Sequence, residues 1–377
     1  AIQAINSNII SGINNSGFIV GTSSDAINVT GNAITVNNAQ YGQIYGGLQG
    51  TLNINNSGVI ALQSVSGLTH VPGSVINGSI AGNGTYKAQQ YLSTTRNWYL
   101  ASPITNATAP SGYTYFKYDE PGNNNGFIAP STAYWESIAI GGTLNPLVGF
   151  ITQPSLGNTT IEFSGTALNN GDISATLTRT AGKIKEGFHL IGNPYPSYVN
   201  WEAVAKTNLE PTIWYRTKNN AGNYVYDTFN GVGTNNNQNG AVTSYIPPMQ
   251  SFWVRVSATK TLGSITFTNA NRAHESGTNR LKAPAHTKNK ILRLQVSNNI
   301  NSDETLVIFN ENASNTFDIY DAQKMTNGNS TIPEIFTVAD NEELTINGMN
   351  SASEIALGFR TGETNTFKIK ASEISNF

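Results

Sequence analysis

Aliphatic residues recur along the first 86 positions at a spacing of about 25: Ile2, Ile27, Leu52 and Ile76, then Ile9, Ile34 and Val59, then Ile19 and Ile44. Short alternating runs such as Ala26-Ile27-Asn28-Val29-Thr30 and Thr51-Leu52-Asn53-Ile54-Asn55 carry these residues, each bounded by Gly or Asn. Alternation turns one row of side chains inward, and a fixed interval lets each coil rest on the one before it. The pattern predicts a short β-solenoid over residues 1–88. A sandwich of hairpins about 12 residues long repeats at nearly the same interval and is the competing reading. A solenoid ends in a coil with unpaired backbone groups, which a following domain or another chain must cover.

From 89 to 275 the pattern lengthens. All five Trp (Trp98, Trp135, Trp201, Trp214, Trp253) lie here, and strands such as Tyr113-Thr114-Tyr115-Phe116-Lys117-Tyr118 and Ser251-Phe252-Trp253-Val254-Arg255-Val256 alternate with Gly/Asn loops. An antiparallel β-sandwich of jelly-roll type follows, with one short helix over 201–206. Residues 276–290 lose the apolar period and read as a linker. Four alternating strands within 291–377 then predict a second, smaller C-terminal β-sandwich. The predicted fold class is all-β: a short N-terminal β-solenoid followed by two antiparallel β-sandwich (jelly-roll/Ig-like) domains.

Composition narrows the partners. Hydrophobic residues make up 38% of the 377 positions, enough for real cores, whereas charged residues make up only 12%, and Asp25 is the sole formally charged side chain in the first 86. The net charge of -2 and the scattered Lys and Arg give no field for a phosphate backbone, so no nucleic-acid partner is expected. No apolar run of about 18 residues exists, so membrane insertion is not expected, and the opening Ala1-Ile2-Gln3-Ala4 reads as a mature or excised chain. Absence of Cys excludes disulfides and thiolate chemistry.

Four motifs in one order carry a resemblance. They are Gln90-Tyr91-Leu92-Ser93 with Arg96-Asn97-Trp98-Tyr99-Leu100-Ala101-Ser102-Pro103; Gly187-Phe188-His189-Leu190-Ile191-Gly192-Asn193-Pro194-Tyr195-Pro196; Ile246-Pro247-Pro248-Met249-Gln250-Ser251-Phe252-Trp253-Val254; and Phe267-Thr268-Asn269-Ala270-Asn271-Arg272-Ala273-His274. Together they resemble large Bacteroidetes cell-surface proteins exported by the type IX route. The resemblance implies secretion, surface exposure and Asn-rich repeats ahead of a sandwich, and it implies no particular enzymatic activity.

The candidate chemistry is sparse. In Gly192-Asn193-Pro194-Tyr195-Pro196 the prolines fix φ and push Asn193 extended, a structural motif, and Pro247-Pro248 reads as a rigid lead into the following strand. Of the four His, His70, His189, His274 and His286, none stands in a metal-ligand pattern, and His189 reads as a hydrogen-bonded core or rim residue. Asp119 and Glu120, followed by Pro121-Gly122-Asn123-Asn124-Asn125-Gly126, hold enough oxygen for a surface Ca²⁺ loop but depart from the EF-hand pattern, so a solvated turn is preferred and no cofactor is expected. Tyr113, Tyr115 and Trp135 are candidate ligand-binding aromatics, with Tyr113 and Tyr115 on one strand face and able to stack on a sugar ring if that face is exposed.

The expected function is a non-enzymatic secreted cell-surface protein, an adhesin or the subunit of an extracellular filament that pairs with itself or with neighbouring surface proteins through strand or coil contacts. The alternative is a carbohydrate-binding module with a glycan as partner.

Overall fold

A computed structural model describes residues 2–5, 12–30, 33–50, 52–62, 75–76, 80–121, 134–183, 185–235, 242–273 and 289–377. The fold is all-β, and the only helical pieces among these residues are two 3-10 turns, Trp201–Ala203 and Asn269–Asn271. The chain forms two compact units, residues 1–209 with 245–276, and residues 210–244 with 277–377.

Ten strands open the first unit: β1 (Ile2–Ile5), β2 (Gly12–Asn15), β3 (Phe18–Thr30), β4 (Ile34–Asn38), β5 (Gln43–Gly50), β6 (Leu52–Asn56), β7 (Val59–Leu62), β8 (Val75–Ile76), β9 (Ile80–Ala81) and β10 (Thr85–Leu92). They pair in parallel in three rows. The first places Ile2 beside Ile27, Ile27 beside Leu48 and Gly50 beside Ile76. The second runs β2, β4, β6, β9, and the third sets Ile19 beside Ile44, Ile44 beside Ile60 and Tyr86 beside Ile60. Two of the expected neighbours, Ile2 with Ile27 and Ile19 with Ile44, are thus in register. Leu52 instead lies beside Ile34. The interval between stacked residues is not fixed, because the turns between rows differ in length while the inward apolar position is kept. Ile9 lies outside the described residues.

Alternation explains which side chains are inside. In β4 and β6 the residues Ile34, Val36, Leu52 and Ile54 are buried while Asn37 and Asn55 are exposed. At the far end β10 turns its other edge to Thr159–Gly165 in antiparallel pairing. One apolar cluster runs from Ile13 and Ile27 through Leu62 and Tyr86 to Tyr115, Phe150 and Phe163. Residue 88, expected as a domain boundary, therefore lies inside a continuous core.

Around this core the first unit adds an antiparallel sheet of Trp98–Leu100, Phe150–Pro154, Tyr113–Tyr118 and Trp135–Ser137, and an antiparallel pair of Phe188–Gly192 with Ser251–Arg255. The short helix expected over 201–206 is the 3-10 turn Trp201–Ala203, after which Ala205–Thr207 is strand.

The second unit has a sheet in the order Leu357–Arg360, Glu334–Ala339, Glu342–Met349, Ser302–Phe309, Lys290–Asn298, Phe367–Ser375, with one parallel pairing between Ser302–Phe309 and Glu342–Met349. Residues 210–244 belong with it, against the expectation that 89–275 forms a single domain. Their hairpin, Ile213–Lys218 with Tyr224–Phe229, leads to Val232, which packs on Leu306, Ile308, Ala322 and Ile346. Trp214 is fully buried and donates its indole N–H to Gln323 O at 3.0 Å. Most of the expected linker, 276–288, lies outside the described residues.

Candidate functional site

The chemistry most repeated in the molecule is a column of buried carboxamides at the turn after the second row. Asn15 Nδ2 donates to Asn38 Oδ1 at 2.8 Å, and Asn38 Nδ2 donates to Asn56 Oδ1 at 2.8 Å. Each amide also reaches across to the next coil's backbone: Asn15 to Gln43 O, Asn38 to Val59 O and Asn56 to Thr85 O, all at 3.3 Å. The three Asn are almost wholly buried, and an amide left unpartnered there costs about 1–3 kcal/mol. The column consequently fixes the register of the parallel strands as well as stabilising them.

Backbone bonds repeat with it and all run one way. The N–H of Gln43, Val59 and Thr85 donates to the carbonyl of Gly17, Gly42 and Gly58 in the coil before, at 2.8, 3.0 and 2.8 Å. Close stacking explains the glycines. A methyl group at Gly42 would come within 2.5 Å of Asn15 O, one at Gly84 within 2.5 Å of Gly58 O, and one at Gly58 would run into Gly42 O. Gly17 occupies the same place in the first turn of the series, yet a methyl there meets no atom of the described residues within 4 Å and its φ is not positive. Nothing in its described surroundings requires glycine.

A second cluster brings together residues that are distant in sequence. Asn193 Nδ2 donates to Ser197 O at 2.7 Å, Pro247 O at 2.9 Å and Ile246 O at 3.2 Å, while Asn193 Oδ1 accepts from Tyr195 N at 3.0 Å. Pro194 O accepts from Asn169 Nδ2 at 2.9 Å, and Pro196 and Pro248 are buried. A methyl group at Gly192 would overlap Ala101 Cβ. Ser251 Oγ donates to Leu100 O, and Ala101 N donates to Met249 O at 3.0 Å. Arg272 lies over the Tyr195 ring, 4.9 Å from its centroid, and donates to Ser197 Oγ at 3.0 Å. Burial lowers the Arg272 guanidinium to about 10, partly offset by Tyr195. Residues of the four motifs singled out in the sequence thus meet in one buried knot, in which Asn193 and Ser251 hold backbone and Arg272 holds Ser197.

The remaining candidates are structural too. Glu120, expected in a solvated acidic turn, is 1% exposed. Its Oε1 accepts from Thr180 N and Gly187 N and its Oε2 from Thr178 Oγ1 and Thr180 Oγ1, all at 2.8 Å. Burial acts to raise this carboxyl, but the four donors outweigh it and hold it below the ordinary value. With its lone pairs filled it is no ligand for a surface cation. Residues 122–126 of that acidic loop lie outside the described residues, as do His70, His274 and His286. His189 is half-buried with Nε2 2.8 Å from Thr178 O, and burial lowers its pKa against the opposing pull of that bond and of Glu120 and Asp119.

Tyr113 and Tyr115 face inward, the reverse of what a sugar platform needs. Tyr115 is 2% exposed, donates its hydroxyl to Pro110 O at 2.9 Å and packs edge-on to Phe150, while Phe116 takes the outward position. Tyr113 is half-buried against the same core and donates to Thr160 O at 3.1 Å. The physical reason is that the strand's inward face is the one opposed to the Phe150–Phe163 core, which takes large rings. Trp135 is half-buried and packs edge-on to Tyr118 and Trp253, with centroids 5.4 and 6.0 Å away.

A family model described as "Domain of unknown function (DUF8693)" matches residues 4–377. The chain belongs to this family. No curated protein and no solved structure matches it. The match takes in both compact units, so it covers the parallel rows, the motif knot and the C-terminal sheet together.

The Asn column is what sequence reasoning missed. Its signal is the pentapeptide Ile-Asn-Asn-Ser-Gly, present at Ile13-Asn14-Asn15-Ser16-Gly17 and again at Ile54-Asn55-Asn56-Ser57-Gly58. An aliphatic period alone passes over it.

Proposed function

We propose that the chain is a non-enzymatic structural protein of the bacterial cell surface, a filament subunit or adhesin that joins its neighbours through β-strand and coil contacts. The parallel rows are the coils of a short β-solenoid, and the flanking sheets are sandwich modules that carry it. The observation behind this reading is the edge that the rows leave: among the described residues β1 pairs only with β3, and β2 only with β4. Unpaired parallel strands are templates for another strand, and such augmentation draws affinity from backbone hydrogen bonds. The charge-poor ladder removes the repulsion that normally protects an edge. The residues with the greatest chemical potential, Glu120, His189 and Tyr115, are absorbed in internal bonds, which favours a structural role. The motifs that resemble type IX cargo support an extracellular location.

Negative-stain electron microscopy of native surface material, with mass spectrometry to identify the chain, tests the reading. Filaments or ordered arrays containing this protein are the expected result. Isolated monomers in that material and at high concentration in solution would contradict it.

A further inference from the structure

Among the described residues the second unit holds one lysine–carboxylate pair that is sealed from water, and we propose that Lys324 and Asp303 join there in an amide bond that forms without an enzyme. This cross-link is independent of the assembly reading above.

Burial sets the pair apart. Lys324 Nζ and Asp303 Oδ2 are in direct contact, with side chains 3% and 0% exposed. The other lysine–carboxylate pairs among the described residues, Lys87 with Glu162 and Lys117 with Glu136, are a third to nearly a half exposed. Backbone fixes the two partners from three sides. Asp303 lies in Ser302–Phe309, opposite the buried Val296. Lys324 follows the short strand Ala322–Gln323, and its N–H donates to Glu343 O at 2.7 Å. Leu306 and Ile346 are parallel partners, so Asp303 and Glu343, each three residues earlier, stand at one level of the sheet. The bond to Glu343 thus sets the backbone of Lys324 at the level of Asp303. Ile335, fully buried, closes the third side with an N–H that donates to Asp303 Oδ2 at 2.9 Å.

This contact holds everything that a condensation needs. A proton passes from the ammonium to the carboxylate, and the amine lone pair then attacks Asp303 Cγ. Negative charge develops on Oδ2, where the Ile335 N–H already stands to receive it. The nitrogen gives up a second proton, Oδ1 departs as water, and Oδ2 becomes a carbonyl again. One N–C bond forms, one C–O bond breaks, and one water leaves; no oxidant, metal or co-reactant enters. The product replaces two charges held away from water, a costly arrangement, by one neutral group. It also closes a covalent loop around the strand-free stretch 310–321. Without Cys the chain has no disulfide for that purpose, and a cross-link of this kind stabilises by restricting the unfolded chain.

Mass spectrometry of the intact chain, unfolded before injection, tests this. The wild type should be lighter than its sequence by one water, and digestion should release a branched peptide joining the segments that hold Asp303 and Lys324. Lys324→Arg keeps the positive charge but cannot give up the proton, so it should show the full sequence mass. A wild type that retains full mass after prolonged incubation in the folded state overturns the amide and leaves an ordinary buried ion pair. Water loss that persists in Lys324→Arg, or a branch that maps to other residues, overturns it as well. Should Lys324→Arg fail to fold, the wild-type digest decides alone: the branched peptide supports the bond, and its absence overturns it.

Discussion

The first coil and the inner coils are built from the same parts and differ in what covers them. In both, an Asn closes the second row and a Gly precedes the third. Around Gly42 and Gly58 the neighbouring backbone leaves no room for a methyl group, whereas a methyl group at Gly17 would meet no atom of the described residues within 4 Å. Asn38 receives a bond from Asn15 and gives one to Asn56. Asn15 gives one to Asn38, while its Oδ1 is met among the described residues by Gly17 N alone, at 3.2 Å. A residue type demanded by stacking in the interior is retained at an end where this chain alone makes no demand for it.

The sharpest way to break the comparison is to put the same side chain at both places. Gly58→Val should destabilise the first unit by on the order of 3 kcal/mol, since backbone must move to admit it. Gly17→Val in the monomer should change stability by less than about 0.5 kcal/mol. Urea unfolding followed by tryptophan fluorescence measures both, and equal losses would show that the first coil is already covered.

Next in size is the carboxamide column. Asn38→Ala removes the bonds to both Asn15 and Asn56 and should cost about 2–3 kcal/mol, whereas Asn15→Ala removes the bond to Asn38 alone and should cost about 1 kcal/mol. The same denaturation experiment reads the difference, and a reversed order would mean that burial of the column does not govern its worth.

The lesson that partners decide the fate of a buried polar group extends to the two units, and pH separates them. Glu120 has four donors and is held below its ordinary value, so the stability it contributes is present above pH 4.5 and is lost as pH falls through its depressed pKa. Asp321 in the second unit is raised from 3.8 to about 7, chiefly by burial. Asp318 N and Gly348 N donate to it, at 2.7 and 2.9 Å, and oppose that rise, while the like charges of Asp318 and Asp340 add to it. The folded chain thus holds that proton more tightly than the unfolded chain. Its stabilising effect is complete below about pH 4 and disappears as pH rises through about 7. Hydrogen exchange at Gly348 should accelerate between pH 5 and pH 8 beyond the intrinsic increase, and Asp321→Asn should flatten the excess. An excess that persists in the variant would assign it to another group.

The smallest expected effect concerns the inward tyrosines. Tyr115→Phe removes a single bond to Pro110 O and should cost about 1 kcal/mol of stability. It should leave any retention on immobilised glycans unchanged, and a selective loss of retention would restore a binding role to that strand.

How far these features were legible in sequence depended on how local their causes are. Period-two alternation made the strands readable, and Ile2 with Ile27 and Ile19 with Ile44 were paired correctly because the inward position tolerates only apolar residues. Leu52 was misplaced because turns of unequal length shift register, and a spacing rule assumes equal coils. The backbone constraints of Gly192-Asn193-Pro194-Tyr195-Pro196 could be read from the prolines, but not the convergence of four motifs on Asn193 and Ala101, which is a matter of tertiary contact. Tyr115 was ambiguous because alternation separates two faces without saying which one the core lies against. Residues 210–244 could not be assigned, since a hairpin's sequence does not reveal which sheet it joins. Glu120 reads as solvated from sequence because its four donors come from Thr178, Thr180 and Gly187, far along the chain.

The absence of Cys allows a direct test of the proposed assembly through the edge that β1 and β2 leave. A chain carrying Ser16→Cys, on the exposed turn beside β2 and blocked with a bulky maleimide, should lose the filaments or arrays that the unmodified chain forms in negative-stain electron microscopy. Filaments unchanged after blocking would contradict an assembly that uses this edge.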